Sequence, residues 1–272
     1  MANNLNNVAS AGTDGQLLGN SSGTPTWLSE SLNDFGFTTA DAGVTRTLTI
    51  SNTDNSNTAS NATGQITTGG GSAGDPKTTY TVTGVTSFST GIDNSASDAF
   101  KISASTALGT TDTFVMTTAG ERTMPLQPAF LAQNSATDSN VTGDNTSYTI
   151  ICDTEIYDQG SDYNNATGVF TAPVTGRYLF TTTVFLTELT ASHTSVVFEL
   201  VASNRDARGY GYTNATAGMI AGNMENIALC YVDMDAADTI FPRIRVAGST
   251  KTVDVYGEAT QLYTSFAGAL IC

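Results

Sequence analysis

Apolar and polar positions alternate along most of this chain. In Gly176–Leu186, Tyr178, Phe180, Val184 and Leu186 fall on one face with Thr182 between them. That period of two predicts a β-strand with one buried side. Similar strands are predicted at Thr194–Val201, Ile227–Val232, Thr239–Val246 and Ala259–Ile271. Shorter candidates precede them at Arg46–Ile50, Thr79–Thr83, Ala99–Ser103 and Thr113–Met116, each alternating apolar residues with Thr, Ser or Lys. The turn-forming runs Gly69–Pro76 and Gly91–Asp98 read as loops. Gly69–Pro76 lacks the Gly-Lys-Ser/Thr sequel of a phosphate loop.

The texture divides the chain in three. Residues 1–44 have few periodic apolar positions and read as an extended attachment segment. Residues 45–125 form a β-rich stem, and residues 126–272, with longer aromatic strands, form a jelly-roll domain. Two prolines in Thr123–Pro128 mark the second boundary. The segment Gly12–Trp27 surrounds Leu17, Leu18 and Trp27 with turn formers. Alone it cannot offset its ordering entropy, so these three residues are expected to order on a partner.

Composition narrows the function. There are 25 acidic residues against 10 basic ones, a net charge of −15, which excludes nucleic-acid binding and adhesion to anionic lipid. The 47 Thr and 26 Gly fit strands and turns, and no apolar run is long enough to span a membrane. The N-terminus shows no secretory signal, so the sequons at Asn61, Asn140, Asn165 and Asn214 predict no glycan. Cys152, Cys230 and Cys272 have neither disulfide nor zinc spacing, and the first two, in apolar runs, read as buried reduced thiols. The single histidine, His193, reads as a solvated loop residue. Asp233, Asp235 and Asp238 form one acidic cluster, and Asp153, Glu155, Asp158 and Asp162 another. Both suit a hard cation in part, but the first lacks the glycine and distal Glu of an EF-hand. No catalytic constellation, cofactor site or metal site is assigned. The loop Ser203–Gly218 concentrates Arg205, Arg208, Tyr210 and Tyr212, side chains suited to gripping a glycan or protein surface.

Three stretches carry a resemblance. Pro128-Ala-Phe-Leu-Ala132 resembles the opening of the globular head of complement component one, subcomponent q, in the tumour-necrosis-factor-like jelly-roll superfamily. Thr167-Gly-Val-Phe-Thr-Ala-Pro-Val-Thr-Gly-Arg-Tyr-Leu-Phe180 is similar to that family's core motif, and Ser265–Ile271 to its closing strand. The collagen stem is missing, and Ala269 stands where a bulky residue is usual. The resemblance implies an all-β jelly roll that packs as a homotrimer. Tyr178, Phe180 and Phe266 then serve either at the trimer axis or in the single-chain core.

The segment Gly15–Trp27, with Asp98–Ser103 and Leu108–Met116, resembles bacteriophage tail-fibre stems. Together the resemblances imply a non-enzymatic, trimeric virion fibre or spike, made in the host cytoplasm. Its N-terminus would hold tail or capsid proteins, and its head would contact a host glycan or protein. The alternatives are a capsid fibre or decoration protein with no receptor role, and a soluble adhesin or ligand of the complement-head type.

Overall fold

The structure is a computed structural model. It describes residues 48–56, 58–204 and 219–272 in full, and residues 17–21, 24–28, 206 and 207 by their backbone. Contacts divide the chain into two compact units, Met1–Gln65 and Ile66–Cys272.

In the first unit, β1 (Leu17–Ser21) and β2 (Thr24–Leu28) make an antiparallel hairpin that sets Leu18 opposite Trp27. The strand expected at Arg46–Ile50 does not form over its described part: residues 48–50 carry no strand, and Leu48 and Ile50 are exposed. Alternation alone does not make a strand without a neighbour to pair with.

In the second unit, residues 77–123 form an antiparallel meander. Its strands are β3 (Lys77–Val82), β4 (Thr86–Asp93), β5 (Ala99–Ser103), β6 (Asp112–Met116) and β7 (Arg122–Thr123), in that spatial order. Strand β4 runs into Gly91–Asp98, where the sequence predicts a loop, and has no counterpart among the predicted strands. Gly91 can sit in the strand because its missing side chain makes room: a Cβ there would lie 2.4 Å from the Pro76 carbonyl.

The two faces of this sheet are inverted relative to expectation. Ser89, Asp93, Lys101 and Ser103 are buried, whereas Tyr80, Phe88, Ile92, Phe100 and Ile102 are exposed. The loop after β5 covers the polar side. Leu108 is buried, Lys77 Nζ donates to the Thr106 carbonyl at 2.8 Å, and Gly109 N donates to Asp112 Oδ1. Beneath it, Lys101 Nζ bridges Asp93 Oδ2 and Asp112 Oδ2, each at 2.8 Å.

Residues 129–270 form two packed sheets. Their strands are β8 (Ala129–Gln133), β9 (Ala136–Thr142), β10 (Ser147–Thr149), β11 (Thr154–Asp158), β12 (Tyr163–Asn164), β13 (Val169–Thr171), β14 (Gly176–Thr187), β15 (Ser195–Ala202), β16 (Asp206–Ala207), β17 (Met224–Met234), β18 (Thr239–Ala247), β19 (Val253–Glu258) and β20 (Ser265–Leu270). One sheet runs β11-β8-β20-β14-β19-β9, with β17 along the opposite edge of β14. The other runs β12-β13-β18-β15-β16, with β10 also on β18. Non-consecutive neighbours such as β8-β20-β14 and β13-β18-β15 are the crossovers of a jelly roll. The run expected as one strand, Ala259–Ile271, begins its strand only at Ser265, and the strand before it ends at Glu258.

The core lies between these sheets. Tyr178, Phe180, Val184 and Leu186 are fully buried from β14, with Thr182 beside them. Phe130 is the hub. It stacks on Tyr163 at 4.8 Å and Phe170 at 5.1 Å, and meets Phe266 edge-on at 5.0 Å. Such offset and edge contacts add to what area burial gives. Polar tips are satisfied: the Tyr178 hydroxyl donates to the Val174 carbonyl, and the Tyr163 hydroxyl donates to the Cys152 carbonyl and accepts from its N–H.

His193 does not occupy the solvated loop position expected of it. It is fully buried, not solvated. Thr190 N donates to its Nδ1 at 2.9 Å, and its Nε2 lies 3.4 Å from the Thr250 carbonyl. Its loop folds under Gly143, whose φ of +130° and absent side chain leave space above the ring. A polar sequence around the histidine reads as an open loop, but the contact that buries it comes from Thr250, 57 residues away.

Candidate functional site

The outward face of the β8-β20-β14-β17 sheet carries the feature that a solitary domain does not need. Because side chains alternate, the residues between the core positions of β14 point outward: Leu179, Thr181, Thr183 and Phe185. Pairing extends this into rows. Leu179 sits between Tyr231 and Ala269, with Ala129 beyond. Thr181 sits between Leu229 and Ala267, followed by Leu131 and Tyr157.

The large members of these rows stand in solvent. Tyr231 is 72% exposed, Ile227 67%, Leu229 60% and Tyr157 47%. Between them, Ala267, Gly268 and Ala269 leave a shallow depression bounded by Leu179 and Tyr157. Gly268 has no freedom to be larger, because a Cβ would lie 2.5 Å from the Phe180 ring and 2.7 Å from the Phe130 ring. At one end of the face, Phe185, Tyr256 and Tyr263 make a triangle of mutual ring contacts at 5.0 to 5.8 Å.

Charge is confined to the margins, where Arg177 lies opposite Asp233 in the strand register, and Phe185 opposite Glu225. The opposite sheet is different. Its outward side carries Glu199 and Arg243, joined by a 2.6 Å salt bridge, and Arg245. One outer surface of the sandwich is therefore dressed for water and the other for an apolar partner.

The residues singled out in the sequence fall in several places. Tyr178, Phe180 and Phe266 are all in the single-chain core, one residue off the outward rows. Leu17, Leu18 and Trp27 belong to the hairpin of the first unit. Arg205, Arg208, Tyr210 and Tyr212 lie outside the described residues. Asp238 is engaged in bracing its own loop, accepting from Ser203, Asn204 and the Asp235 N–H. Asp153 accepts from Ser135 twice, and Asp158 from the backbone of Gly160, Asp162 and Tyr163. Burial and then the charge of Asp158 push the Asp162 carboxyl above its ordinary value. Among the described residues, no group of three or more His, Cys, Asp or Glu is placed to hold a metal ion.

The outward residues Leu179, Ile227, Leu229 and Tyr231 were missed as a site. The signal was present: Ile227–Val232 is apolar at nearly every position, as a strand is when both its faces are covered.

A C1q domain profile matches residues 129–271. Among solved structures, the chain is similar to the globular domain of a zebrafish complement 1qA protein. The identity is 14%, covering 54% of this chain and 98% of that one, with a TM-score of 0.36. It is also similar to murine APRIL, in crystals at pH 8.5 and pH 8.0. There the identities are 9% and 10%, covering 53% of this chain and 99% of that one, with TM-scores of 0.35 and 0.34. No curated protein matches.

Proposed function

This chain belongs to the C1q-domain family, and from that premise we propose that it is a non-enzymatic recognition protein whose C-terminal head acts as a homotrimer. The observation that carries this reading is the apolar face on which Ile227, Leu229 and Tyr231 stand exposed beside half-buried Leu179. In a monomer that face costs solubility. Around a threefold axis it becomes interface, and the charged β15-β18 face remains in water. The function is that of a soluble ligand or adhesin of the complement-head type, whose target is a glycan or a protein surface.

The recognising surface is assigned to the segment holding Arg205, Arg208, Tyr210 and Tyr212, which supplies charge and aromatic rings in a chain poor in charged residues. Alanine at Arg205 and Arg208 lowers target binding and leaves assembly intact.

A second, narrower reading makes the head the tip of a virion fibre, anchored through Leu17, Leu18 and Trp27 and displayed on the particle surface. It is favoured by the fibre-like segment Gly15–Trp27, whose strands β1 and β2 pair with each other. Deleting residues 1–30 then removes the protein from particles without unfolding the head.

Light scattering on the full-length protein tests the main reading. The expected mass is three chains, falling to one with Leu229→Lys and Tyr231→Lys together. A wild-type monomer at micromolar concentration overturns it.

A further inference from the structure

We propose that the apolar face of the β3–β6 sheet is a self-association surface, at which the stems of sister chains pack against one another. The proposal deepens the trimeric reading of the head and rests on it for the number of chains.

The face is continuous by register. Tyr80 lies opposite Phe88, Thr90 opposite Ile102, Ile92 opposite Phe100, Ile102 opposite Phe114, and Phe100 opposite Met116. Directly paired residues project to the same side, so these side chains form one surface across four strands. Tyr80, Phe88, Ile92, Phe100 and Ile102 are exposed, from 37% at Phe100 to 61% at Tyr80, and Phe114 and Met116 are half-buried. Tyr80, Val82, Phe88, Ile92, Phe100 and Ile102 together expose on the order of 500 Å². That is near the upper end of what a monomer ordinarily exposes as a single apolar patch, about 300–600 Å². It supplies more than half of the roughly 800 Å² that one partner gives to a stable interface.

The sheet cannot turn this face inward by itself. Its other face is already committed to the Lys101–Asp93–Asp112 bridges and is closed by the loop carrying Leu108.

Charge selects the occupant. Strands β3 to β6 place no charged side chain among these apolar residues; charge stands only at the rims, Asp98 beside Ile92 at the β4–β5 turn and Arg122 on β7. The chain carries a net charge of −15, and so does every copy. Two such copies repel through any acidic surface, and an uncharged face is where they can meet without opposing charges. A cationic partner would instead be met by carboxylates across the face, and here the only one is Asp98 at the rim.

Photocrosslinking in the full chain tests the proposal. Phe100 is replaced by p-benzoylphenylalanine in one preparation and Tyr231 in another, and linked peptides are identified by mass spectrometry. The expected result for the stem probe is two- and three-chain species on a denaturing gel, with the link falling in residues 77–116 of a second copy. Phe88→Lys added to the stem probe removes that link, whereas the Tyr231 probe still joins chains. Links from position 100 only into residues 1–65 of the same chain, only to a foreign protein, or to nothing overturn the proposal. The Tyr231 probe reports the head independently. Stem links without head links would sink the head trimer and leave the stem contact standing, and the reverse pattern would do the opposite.

Discussion

Lys101 Nζ lies 2.8 Å from Asp93 Oδ2, and both side chains are at least nine-tenths shielded from solvent. Hydrogen bonds from Lys101 and Ser95 hold the Asp93 carboxyl below its ordinary value of 3.8. Burial alone would push the Lys101 ammonium down, but its bonds to Asp112 and Asp93 outweigh this and leave it above 10.5. The β3–β7 sheet is thus organised around an ion pair where a hydrophobic core is usual.

Replacing that lysine leaves two buried carboxylates facing each other. Lys101→Met should destabilise the sheet by about 3 kcal/mol or more, because an uncompensated buried charge is worse than no pair at all. Adding Asp93→Asn and Asp112→Asn should recover much of the loss. Hydrogen exchange over residues 77–116 reads both effects, and unchanged protection in Lys101→Met would contradict the assignment.

The same network fixes a pH dependence. Asp93 is depressed on folding, so its contribution is complete above the unfolded value of 3.8 and fades as pH falls through the lower folded value. Lys101 is raised, so its contribution is complete below 10.5 and fades as pH rises through the higher folded value. Protection of residues 77–116 should therefore be flat across the intervening range and drop at both extremes. Loss beginning near neutral pH would point to a different group.

Gly268 gives a packing prediction. Its Cβ position is filled by the Phe180 and Phe130 rings, and both are fully buried among other aromatics with nowhere to retreat. Gly268→Ala should cost about 1–3 kcal/mol by overpacking. The urea midpoint of the head should fall without a change in slope. An unchanged midpoint would mean that the two sheets separate more easily than their ring contacts imply.

How far the sequence reached depends on which face of a strand is asked about. The inward row Tyr178, Phe180, Thr182, Val184 and Leu186 was readable because alternation and the family motif agree there. In the stem, alternation gave strands β3, β5 and β6, but not which side is covered. Period two says only that the faces differ. The inversion depends on Lys101 finding Asp93 and Asp112, 8 and 11 residues away, and a carboxylate beyond the next turn cannot be recognised as a partner from spacing alone. His193 failed for the same reason, being buried by Thr250. The head's outward residues are not marked by the family motif, which falls on Tyr178 and Phe180, while half-buried Leu179 and exposed Tyr231, one step out of phase, belong to the outer surface.

The three thiols should separate by reactivity. Alkylation needs the thiolate. Burial, followed by the charges of Asp153 and Asp138, pushes Cys152 up to about 12, and burial pushes Cys230 up to about 11. Cys272 is exposed. At pH 8 the folded protein should take up iodoacetamide quickly at Cys272 alone, and at Cys152 only after denaturation. Mass spectrometry of quenched samples gives the order. Rapid native labelling of Cys152 would show that the sandwich opens around Phe130 and Tyr163.

Of the buried apolar side chains among the described residues, only Ala99 and Leu108 precede residue 126. The aromatic cluster around Phe130, Phe170, Phe180 and Phe266 lies wholly within residues 129–270. Burying a large apolar side chain contributes roughly 1.5–3 kcal/mol, so a connected cluster of this size can carry the ordering entropy of the domain around it. The described residues of the stem hold no such cluster, and its side chains from Tyr80 to Ile102 stand exposed. A fragment of residues 126–272 should therefore unfold in one cooperative transition with full near-ultraviolet dichroism from its packed aromatics. Residues 1–125 should melt broadly and bind hydrophobic dye. A molten C-terminal fragment beside a cooperative N-terminal one would mean that the stability resides in the Lys101 network and the stem contacts, and that the head depends on them.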